Sequence, residues 1–280
     1  AGNHTLFAVA DPENLTIEMN EENNATFPVQ IYVRAPDLVV SDIIFDTDTP
    51  VEDAEVNISV VIANKGDEPA DANLTIYDCA KQHEEGYLLG LYINHNEPPG
   101  TRRSRVFGRD SATALRLYLD LDIIGTKGCL RIYDSKNRVV ATYNNSFKGW
   151  TQWVTGNKVT LEVENEETGC FISLDIPKCD YLVARDIINT ANRTLKPNAT
   201  NNISVSWTAS PAGEHFIAAI IDPEGAVIEL NESNNILTKS ILVQGADLTV
   251  LNIRLERLDG TEIGENETIK YGEWVKVFGE

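Results

Sequence analysis

Apolar and polar residues alternate along much of the chain. The clearest example is 55–64, EVNISVVIAN, in which the even-numbered positions from Val56 to Ile62 are apolar. An alternation with a period of two is the pattern of a β-strand with one buried face. Further runs of the same kind lie at 37–45, 72–78, 181–189, 201–208, 215–221 and 226–230. No helical periodicity accompanies them, so the chain is predicted to be all-β and built of β-sandwiches.

A segment near the start of the chain recurs about 210 residues later. Residues 2–24 read GNHTLFAVADPENLTIEMNEENN and residues 213–235 read GEHFIAAIIDPEGAVIELNESNN, with twelve of twenty-three positions identical. An Asp-Leu pair follows each copy, at 37–38 and at 247–248. A fixed period of this kind is typical of tandem arrays. We expect one full unit flanked by two incomplete ones, cropped from a longer array, with head-to-tail assembly of separate chains as the alternative.

The charge of the chain restricts its partners. Forty-three acidic residues against twenty-three Lys and Arg give a net charge of -20, which disfavours nucleic acid and anionic membrane surfaces as partners. No run of 18 apolar residues is present, so no transmembrane segment is expected in this region. With 280 residues and 42% hydrophobic content, two or more domains with their own cores are expected.

Acceptor sites for N-linked glycans are dense. About three Asn-X-Ser/Thr triplets are expected by chance from the composition, and the chain has eleven. Because such acceptors lie on protein surfaces, we expect a secreted, N-glycosylated protein located outside the cell at its surface, and the density favours an archaeal surface over a bacterial one. The acceptor residues are Asn3, Asn14, Asn24, Asn57, Asn73, Asn144, Asn192, Asn198, Asn202, Asn231 and Asn266.

Four cysteines fit the same setting. Cys79, Cys129, Cys170 and Cys179 include no CxxC pair and have no histidine cluster beside them, which argues against a zinc site. In an oxidising compartment two disulfides are the expected state. Four cysteines allow three connectivities, and their spacing alone does not choose among them.

Four separated motifs indicate the fold of the outer parts of the chain. They are PDLVV at 36–40, the alternating strand that ends before Gly66, a strand containing Trp207, and ELNESNN at 229–235, whose counterpart EMNEENN ends the first copy. Together they resemble the CARDB-type immunoglobulin-like domain, a family common on bacterial and archaeal surfaces. The resemblance implies a sandwich of about 100 residues. Here the motifs extend over about 210 residues, so an inserted domain is expected.

The expected insert lies between Asp78 and Asp180. It contains LRIYD at 130–134, TGNKVTL at 155–161 and GCFISL at 169–174. The order of these motifs resembles a CUB-like jelly roll. The insert is therefore expected to be a second β-sandwich that projects from the first.

Two expectations come with the CUB-like resemblance. Cys79 would pair with Cys179 at the base of the insert, and Cys129 would pair with Cys170 inside it. Some CUB domains also bind calcium through clustered carboxylates, which suit an ion that prefers oxygen ligands, although plain surface charges are the favoured interpretation here. The candidate calcium ligands are Asp120, Asp122, Asp134 and Glu166.

The motifs together predict a four-part domain organisation. Residues 1–36 would be the C-terminal part of one CARDB-like sandwich, and 246–280 the N-terminal part of the next. Between them, 37–79 and 179–245 would form a complete but discontinuous sandwich, and 80–178 would be the inserted CUB-like domain.

No residue pattern indicates catalysis. His4 and His215 occupy equivalent places in the repeated segment and no oriented partner repeats beside them, which favours a structural role. His83 and His95 lack the spacing of metal ligands. The chain is therefore predicted not to be an enzyme, and no cofactor is expected apart from N-linked glycans and the calcium considered above.

These observations predict a structural or adhesive repeat segment of a cell-surface glycoprotein, as part of an S-layer, a filament or an adhesin. Its partners would be other copies of itself or neighbouring surface proteins and glycans. The alternative is an accessory carbohydrate- or protein-binding region of a large secreted hydrolase. Trp150 and Trp153 bear on that alternative, because exposed aromatic residues can stack on sugars or anchor an interface, although they can equally fill a core.

Overall fold

The computed structural model of the protein describes residues 2–13, 15–125, 127–246, 253–264, 267 and 274–279. The fold is all-β, as the alternating pattern predicts. Within the described residues, the helical structure is a 3-10 turn at Glu21–Asn23. None of the described segments forms a helix of the length and apolarity that a membrane crossing requires.

The strands are β1 (Gly2–Leu6), β2 (Val29–Val33), β3 (Leu38–Phe45), β4 (Glu55–Asn64), β5 (Ala70–Ile93), β6 (Arg102–Gly108), β7 (Ala114–Ile124), β8 (Gly128–Tyr133), β9 (Val139–Tyr143), β10 (Phe147–Trp150), β11 (Val154–Thr155), β12 (Lys158–Asn165), β13 (Phe171–Leu195), β14 (Thr200–Thr208), β15 (Gly213–Ile221), β16 (Ile236–Val243), β17 (Ile253–Arg257), β18 (Glu262–Ile263) and β19 (Val275–Gly279). They belong to two compact units, Ala1–Val243 and Gln244–Glu280.

Two very long strands organise the first unit. β5 has 24 residues and β13 has 25, whereas strands in globular proteins are usually five or six residues long. They pair antiparallel from Ala70 opposite Leu195 to Ile93 opposite Ile172. At about 3.3 Å per residue, this ladder is roughly 80 Å long. The predicted domain boundaries at 79/80 and 178/179 lie within these two strands.

The first sandwich forms at one end of the ladder. A three-stranded sheet in the order β14-β4-β3 faces β5, β15 and β16 of the long sheet. Alternation along β4 places Ile58, Val60 and Ile62 fully inside, where each buried aliphatic side chain contributes about 1.5–3 kcal/mol. Trp207 of β14 packs into the same core.

The second sandwich forms at the other end of the same ladder. A four-stranded sheet in the order β6-β12-β8-β9 faces β7 and the far halves of β5 and β13. Its core is rich in leucine, including Leu117, Leu130, Leu161 and Leu174, all of them buried. A small third cluster that includes Leu182 contains residues of β5, β7, β13 and β15. The strands with alternating apolar residues thus build two separate cores, and both cores lie on one continuous sheet.

Both copies of the repeated segment begin with a hairpin strand. β1 pairs antiparallel with β2, from Gly2 opposite Val33 to Leu6 opposite Val29. β15 pairs in the same way with β16, with Gly213 opposite Val243. The register of the two hairpins is the same, so residues of β1 and β2 can be matched one to one with residues of β15 and β16.

In its described residues, the second unit has three short strands. β17 pairs antiparallel with both β18 and β19. The Asp-Leu pair at 247–248, which the sequence matches to 37–38, lies outside the described residues.

Candidate functional site

Three charged side chains lie next to one another across the middle of the long sheet. His83 of β5 and Arg116 of β7 are each opposite Asp180 of β13, and side chains directly opposite on neighbouring strands interact. The Asp180 carboxylate accepts a hydrogen bond of 2.6 Å from the Arg116 guanidinium, and its other oxygen lies 2.6 Å from Nδ1 of His83. Asp180 is buried, whereas His83 is exposed.

The charges of this cluster shift one another's pKa values. Burial raises the pKa of Asp180, but the bonds from His83 and Arg116 outweigh it, so the net pKa lies below the usual value. Hydrogen bonds to Asp180 and then to Glu85 raise the pKa of His83. The bond from Lys178, followed by that from His83, lowers the pKa of Glu85 to about 2. The two flanking carboxylates thus favour the cationic form of His83.

Two tryptophans enclose the arginine of the cluster. The Arg116 guanidinium carbon lies 4.7 Å from the ring centre of Trp150 and 4.8 Å from that of Trp153, within the range of cation–π attraction. Tyr118 meets Trp150 edge-on, with 5.5 Å between ring centres. Both tryptophans are half-buried. Their burial therefore lies between the two alternatives from the sequence, an exposed binding surface and a place in the core.

This aromatic–charged surface is the candidate binding site of the protein, and we refer to it as the Arg116 surface. It combines flat aromatic faces with charged hydrogen-bonding groups, which is the chemistry used to hold sugars and protein partners. Sequence analysis found His83, Trp150 and Trp153 one at a time. It missed Arg116 and Asp180, because only the pairing of β5, β13 and β7 brings these residues together.

His215 has a structural environment, as its place in the repeat predicts. Its side chain is fully buried, its Nδ1 lies 2.8 Å from Asp78, and its Nε2 lies 2.7 Å from the carbonyl oxygen of Pro211. Burial raises the pKa of Asp78, against the opposing effect of the His215 bond. With both ring nitrogens engaged, His215 has no nitrogen left to act on a substrate. His95 stacks on Phe171 at 5.2 Å between ring centres.

The predicted bridge between Cys79 and Cys179 requires correction. Cys79 lies opposite Ala184, and Cys179 lies opposite Glu84, so the two cysteines are five residues apart along the ladder. That offset is roughly 16 Å at about 3.3 Å per residue, well beyond the roughly 7 Å that a disulfide can span between Cα atoms. Burial raises the pKa of Cys79 to about 12 and that of Cys179 to about 11.

The predicted bridge between Cys129 and Cys170 is corrected as well. On β8, Leu130 faces the core of the second sandwich, so the preceding residue, Cys129, faces the opposite side of its sheet, where Arg131 also lies. Cys170 belongs to the core itself. All four cysteines are buried free thiols.

The candidate calcium ligands are not brought together. Asp120 forms an ion pair of 2.5 Å with Lys148, and Asp122 lies two residues further along β7. The backbone nitrogen of Glu166 donates a hydrogen bond to the carbonyl oxygen of Lys127, which places Glu166 beside the start of β8. Asp134 follows the end of β8, roughly 20 Å away at about 3.3 Å per residue. Among the residues that the structure describes, no group of three or more His, Cys, Asp or Glu side chains is arranged to hold a metal ion.

Asp134 takes part in a different contact. Arg138, in the turn between β8 and β9, pairs with Asp134 at 2.8 Å and with Glu232 at 2.7 Å. Both carboxylates are largely buried, at 4% and 9% side-chain exposure. Glu232 belongs to the ELNESNN motif, so this arginine joins the turn of the second sandwich to a loop of the first.

Most of the predicted glycan acceptors are exposed. Asn24 is half-buried, and Asn14 and Asn266 lie outside the described residues. The exposed acceptors are Asn3, Asn57, Asn73, Asn144, Asn192, Asn198, Asn202 and Asn231.

Comparison with known proteins supports one of the two resemblances. The CARDB family model matches residues 139–239. The CARDB domain of a Pyrococcus furiosus protein, in complex with di-metal ions, is 13% identical, covers 77% of this chain and 98% of its own, and has a TM-score of 0.35.

Two further solved structures are similar at a lower level. A β-glucosidase from Erythrobacter marinus is 9% identical over 75% of this chain and 16% of its own, with a TM-score of 0.29. The sporulation control protein Spo0M from Bacillus subtilis is 11% identical over 76% and 51%, with a TM-score of 0.26. No curated protein matches the chain. The predicted CARDB resemblance is thus confirmed for residues 139–239, a range that crosses the expected boundary at 178/179.

Proposed function

We propose that the chain is a non-enzymatic structural or adhesive segment of a secreted, N-glycosylated cell-surface protein, such as an S-layer, filament or adhesin component. The observation that carries this proposal is the pair of long strands, β5 and β13, which pair with each other through both sandwiches, with bulges at three places along the ladder. Domains joined by ordinary linkers move relative to one another. Two sandwiches that share a hydrogen-bonded ladder instead form a stiff spacer.

The surface of the chain supports an external location. Eight acceptor asparagines are exposed, and a net charge of -20 keeps neighbouring molecules soluble and apart. The Arg138 contact with Glu232 reinforces the ladder, because it holds the two sandwiches at a second place. A segment that positions partners at a surface requires such rigidity, whereas a catalytic role requires a site with a free nucleophile or base.

The experiment uses the protein from its native cells. Intact cells are treated with a membrane-impermeant lysine reagent, and the purified protein is then digested and searched for glycopeptides. We expect labelled lysines, together with glycan on the peptides that contain Asn73, Asn144 and Asn198. An abundant internal protein, which should remain unlabelled, is the control. Unlabelled lysines and three unmodified asparagines would contradict the proposal.

A second function, the accessory binding region of a secreted hydrolase, is favoured by the Arg116 surface. Its half-buried tryptophans present aromatic faces beside charged groups, as binding sites for sugars do. Retention of the chain on insoluble polysaccharides, and its loss in Trp150→Ala but not in the exposed-residue variant Tyr87→Ala, would support this function. A full reading frame without a catalytic domain would exclude it.

A further inference from the structure

One side of the second sandwich is bordered by two edge strands. β5 pairs with β13 from Ala70 to Ile93, but β15, its partner on the other side, reaches only from Leu74 to Cys79. Among the strands that the structure describes, β5 is therefore the edge of the long sheet beyond Cys79. β6 is the corresponding edge of the facing sheet. Edge strands present backbone groups that can pair with another strand.

A groove of about 390 Å³ lies between these two edges. Its lining includes apolar side chains, arginines and the backbone of a glycine, from Gly90, Leu91, Tyr92, Arg103, Ser104 and Arg105. Leu91 belongs to the core of the second sandwich, whereas the Tyr92 side chain is 55% exposed. The groove thus places apolar and cationic groups directly beside the edge of β5.

The backbone of β5 offers hydrogen-bonding groups in this groove. Arg103 donates a hydrogen bond of 3.0 Å to the carbonyl oxygen of Tyr92, so this carbonyl points away from β13. In an antiparallel strand the N–H and C=O of a residue point to the same side, and alternate residues share that side. The N–H of Tyr92 and both backbone groups of Gly90 therefore face the groove, where none of the described strands pairs with them. An extended peptide can use such groups to add a strand to the sheet.

The charge of β6 selects the kind of peptide that fits. Residues 101–109, TRRSRVFGR, contain four arginines and no acidic residue, in a chain whose net charge is -20. Three of these arginines form ion pairs with glutamates. Arg105 is exposed and lines the groove, and it forms no ion pair with any residue in the described part of the chain. An acidic strand would supply a carboxylate for Arg105, whereas a basic strand would be repelled.

The positions of the glycan acceptors leave this side of the second sandwich clear. No Asn-X-Ser/Thr triplet begins between Asn73 and Asn144, and Asn144 follows β9, which lies at the other edge of the four-stranded sheet. The open side of the first sandwich is bordered by β14 and the last part of β13, and it carries Asn192, Asn198 and Asn202. Bulky glycans at those positions would obstruct an incoming strand. Of the two sides, the one between β5 and β6 is therefore the better suited to a partner.

We propose that the edge of β5 at Gly90 and Tyr92 binds an extended acidic segment of a partner protein. The segment adds to the long sheet as a further strand and places a carboxylate on Arg105. Backbone hydrogen bonds supply the affinity, and Arg105 supplies the preference for acidic side chains. The inference rests on the proposed structural or adhesive role and gives that role a partner of defined chemistry.

The test measures binding of a fluorescent heptapeptide that alternates valine and glutamate to the full chain, by fluorescence anisotropy. We expect saturable binding that weakens as salt is added, because salt screens the attraction between charges. Arg105→Glu should weaken binding about tenfold, which corresponds to about 1.4 kcal/mol. Arg193→Glu is the matched control, because Arg193 is exposed on β13 in the first sandwich, and it should bind as the wild type does. Circular dichroism establishes that both variants are folded.

Two further measurements separate strand addition from simple charge attraction. The same peptide with methylated backbone nitrogens keeps its charge but cannot donate hydrogen bonds to β5, so it should not bind. Hydrogen exchange of the segment that contains Gly90 and Tyr92 should slow when the unmodified peptide is present, because their N–H groups become hydrogen-bonded. Exchange at 183–195, on the open side of the first sandwich, should stay unchanged.

Several results would overturn the proposal. They are an acidic peptide that does not bind, unchanged binding in Arg105→Glu, equal binding of the methylated peptide, or unchanged exchange at Gly90 and Tyr92. Heparin that binds through Arg105 while the peptide does not would also overturn it, and would indicate an anionic polysaccharide as the ligand. The surface-labelling and glycopeptide experiment does not involve this edge, so the two proposals fail separately.

Discussion

Glu229 is a carboxyl group buried at the point where the ELNESNN motif meets β3. Burial raises its pKa to about 8, against the hydrogen bonds from Leu38 and Asn235 and with a further increase from the nearby Glu232. A carboxyl group whose folded pKa lies above its unfolded value binds its proton more tightly in the folded protein. Its contribution to stability is complete below about pH 4.5 and is lost as the pH rises toward 8.

We therefore expect Glu229→Gln to change the pH dependence of stability. The free energy of unfolding of the wild type, relative to that of the variant, should fall between about pH 4.5 and 8, by about 1.4 kcal/mol for each unit of pKa difference. Urea titrations at several pH values measure it. Glu224→Gln, at an exposed position of the same loop, is the control and should show a constant difference. A constant difference for Glu229→Gln as well would contradict this prediction.

At the scale of strands, the periodic pattern predicts some elements well and others poorly. Residues 55–64 were expected to form one strand, and β4 occupies Glu55–Asn64. By contrast, 72–78 was expected to be a short strand, and β5 extends over Ala70–Ile93. The segment CAKQHEEGY at 79–87 has no alternation, because the middle of the ladder lies between two cores and carries mainly polar contacts. Only pairing with β13 defines it.

The same reason explains which candidate residues the sequence could find. A histidine or a tryptophan is noticeable on its own, but the contact of Asp180 with Arg116 depends on strand register. The disulfide expectation failed for a related reason. It placed Cys79 and Cys179 at the base of a separate insert, whereas the two long strands continue past that point and carry the cysteines apart.

The Arg138 contact is an element-scale link that substitution can test. Arg138→Ala would leave Asp134 and Glu232 without their cation in a largely buried site, and breaking such a pair typically costs about 3–5 kcal/mol. We expect a loss toward the lower end of that range, because Arg138 is partly exposed, measured by chemical denaturation. Arg193→Ala removes an exposed arginine that bonds to the neighbouring carbonyl of Asn192, and should have little effect. Equal losses in the two variants would contradict a linking role for Arg138.

At the scale of the whole first unit, two sandwiches on one ladder should behave as one cooperative body. Neither core can lose β5 or β13 without unpairing strands that the other core requires. Leu182 lies between them, fully buried beside Ala114 and Ala218. Unfolding of one sandwich should therefore bring about unfolding of the other, in the manner of a single domain.

Tryptophan fluorescence can follow each sandwich separately in two variants that both carry Trp274→Phe, one with Trp150 and Trp153 also replaced by Phe and the other with Trp207 replaced by Phe. Trp207 reports on the first sandwich, and Trp150 with Trp153 reports on the second. Leu182→Ala should cost about 2–5 kcal/mol through the cavity it leaves. Because the ladder is shared, we expect both signals to shift to the same lower midpoint, whereas Leu242→Ala, at an exposed position, should leave both midpoints unchanged. Two separate midpoints, in the wild type or in Leu182→Ala, would mean that the sandwiches unfold independently and that the ladder does not make them a single stiff segment.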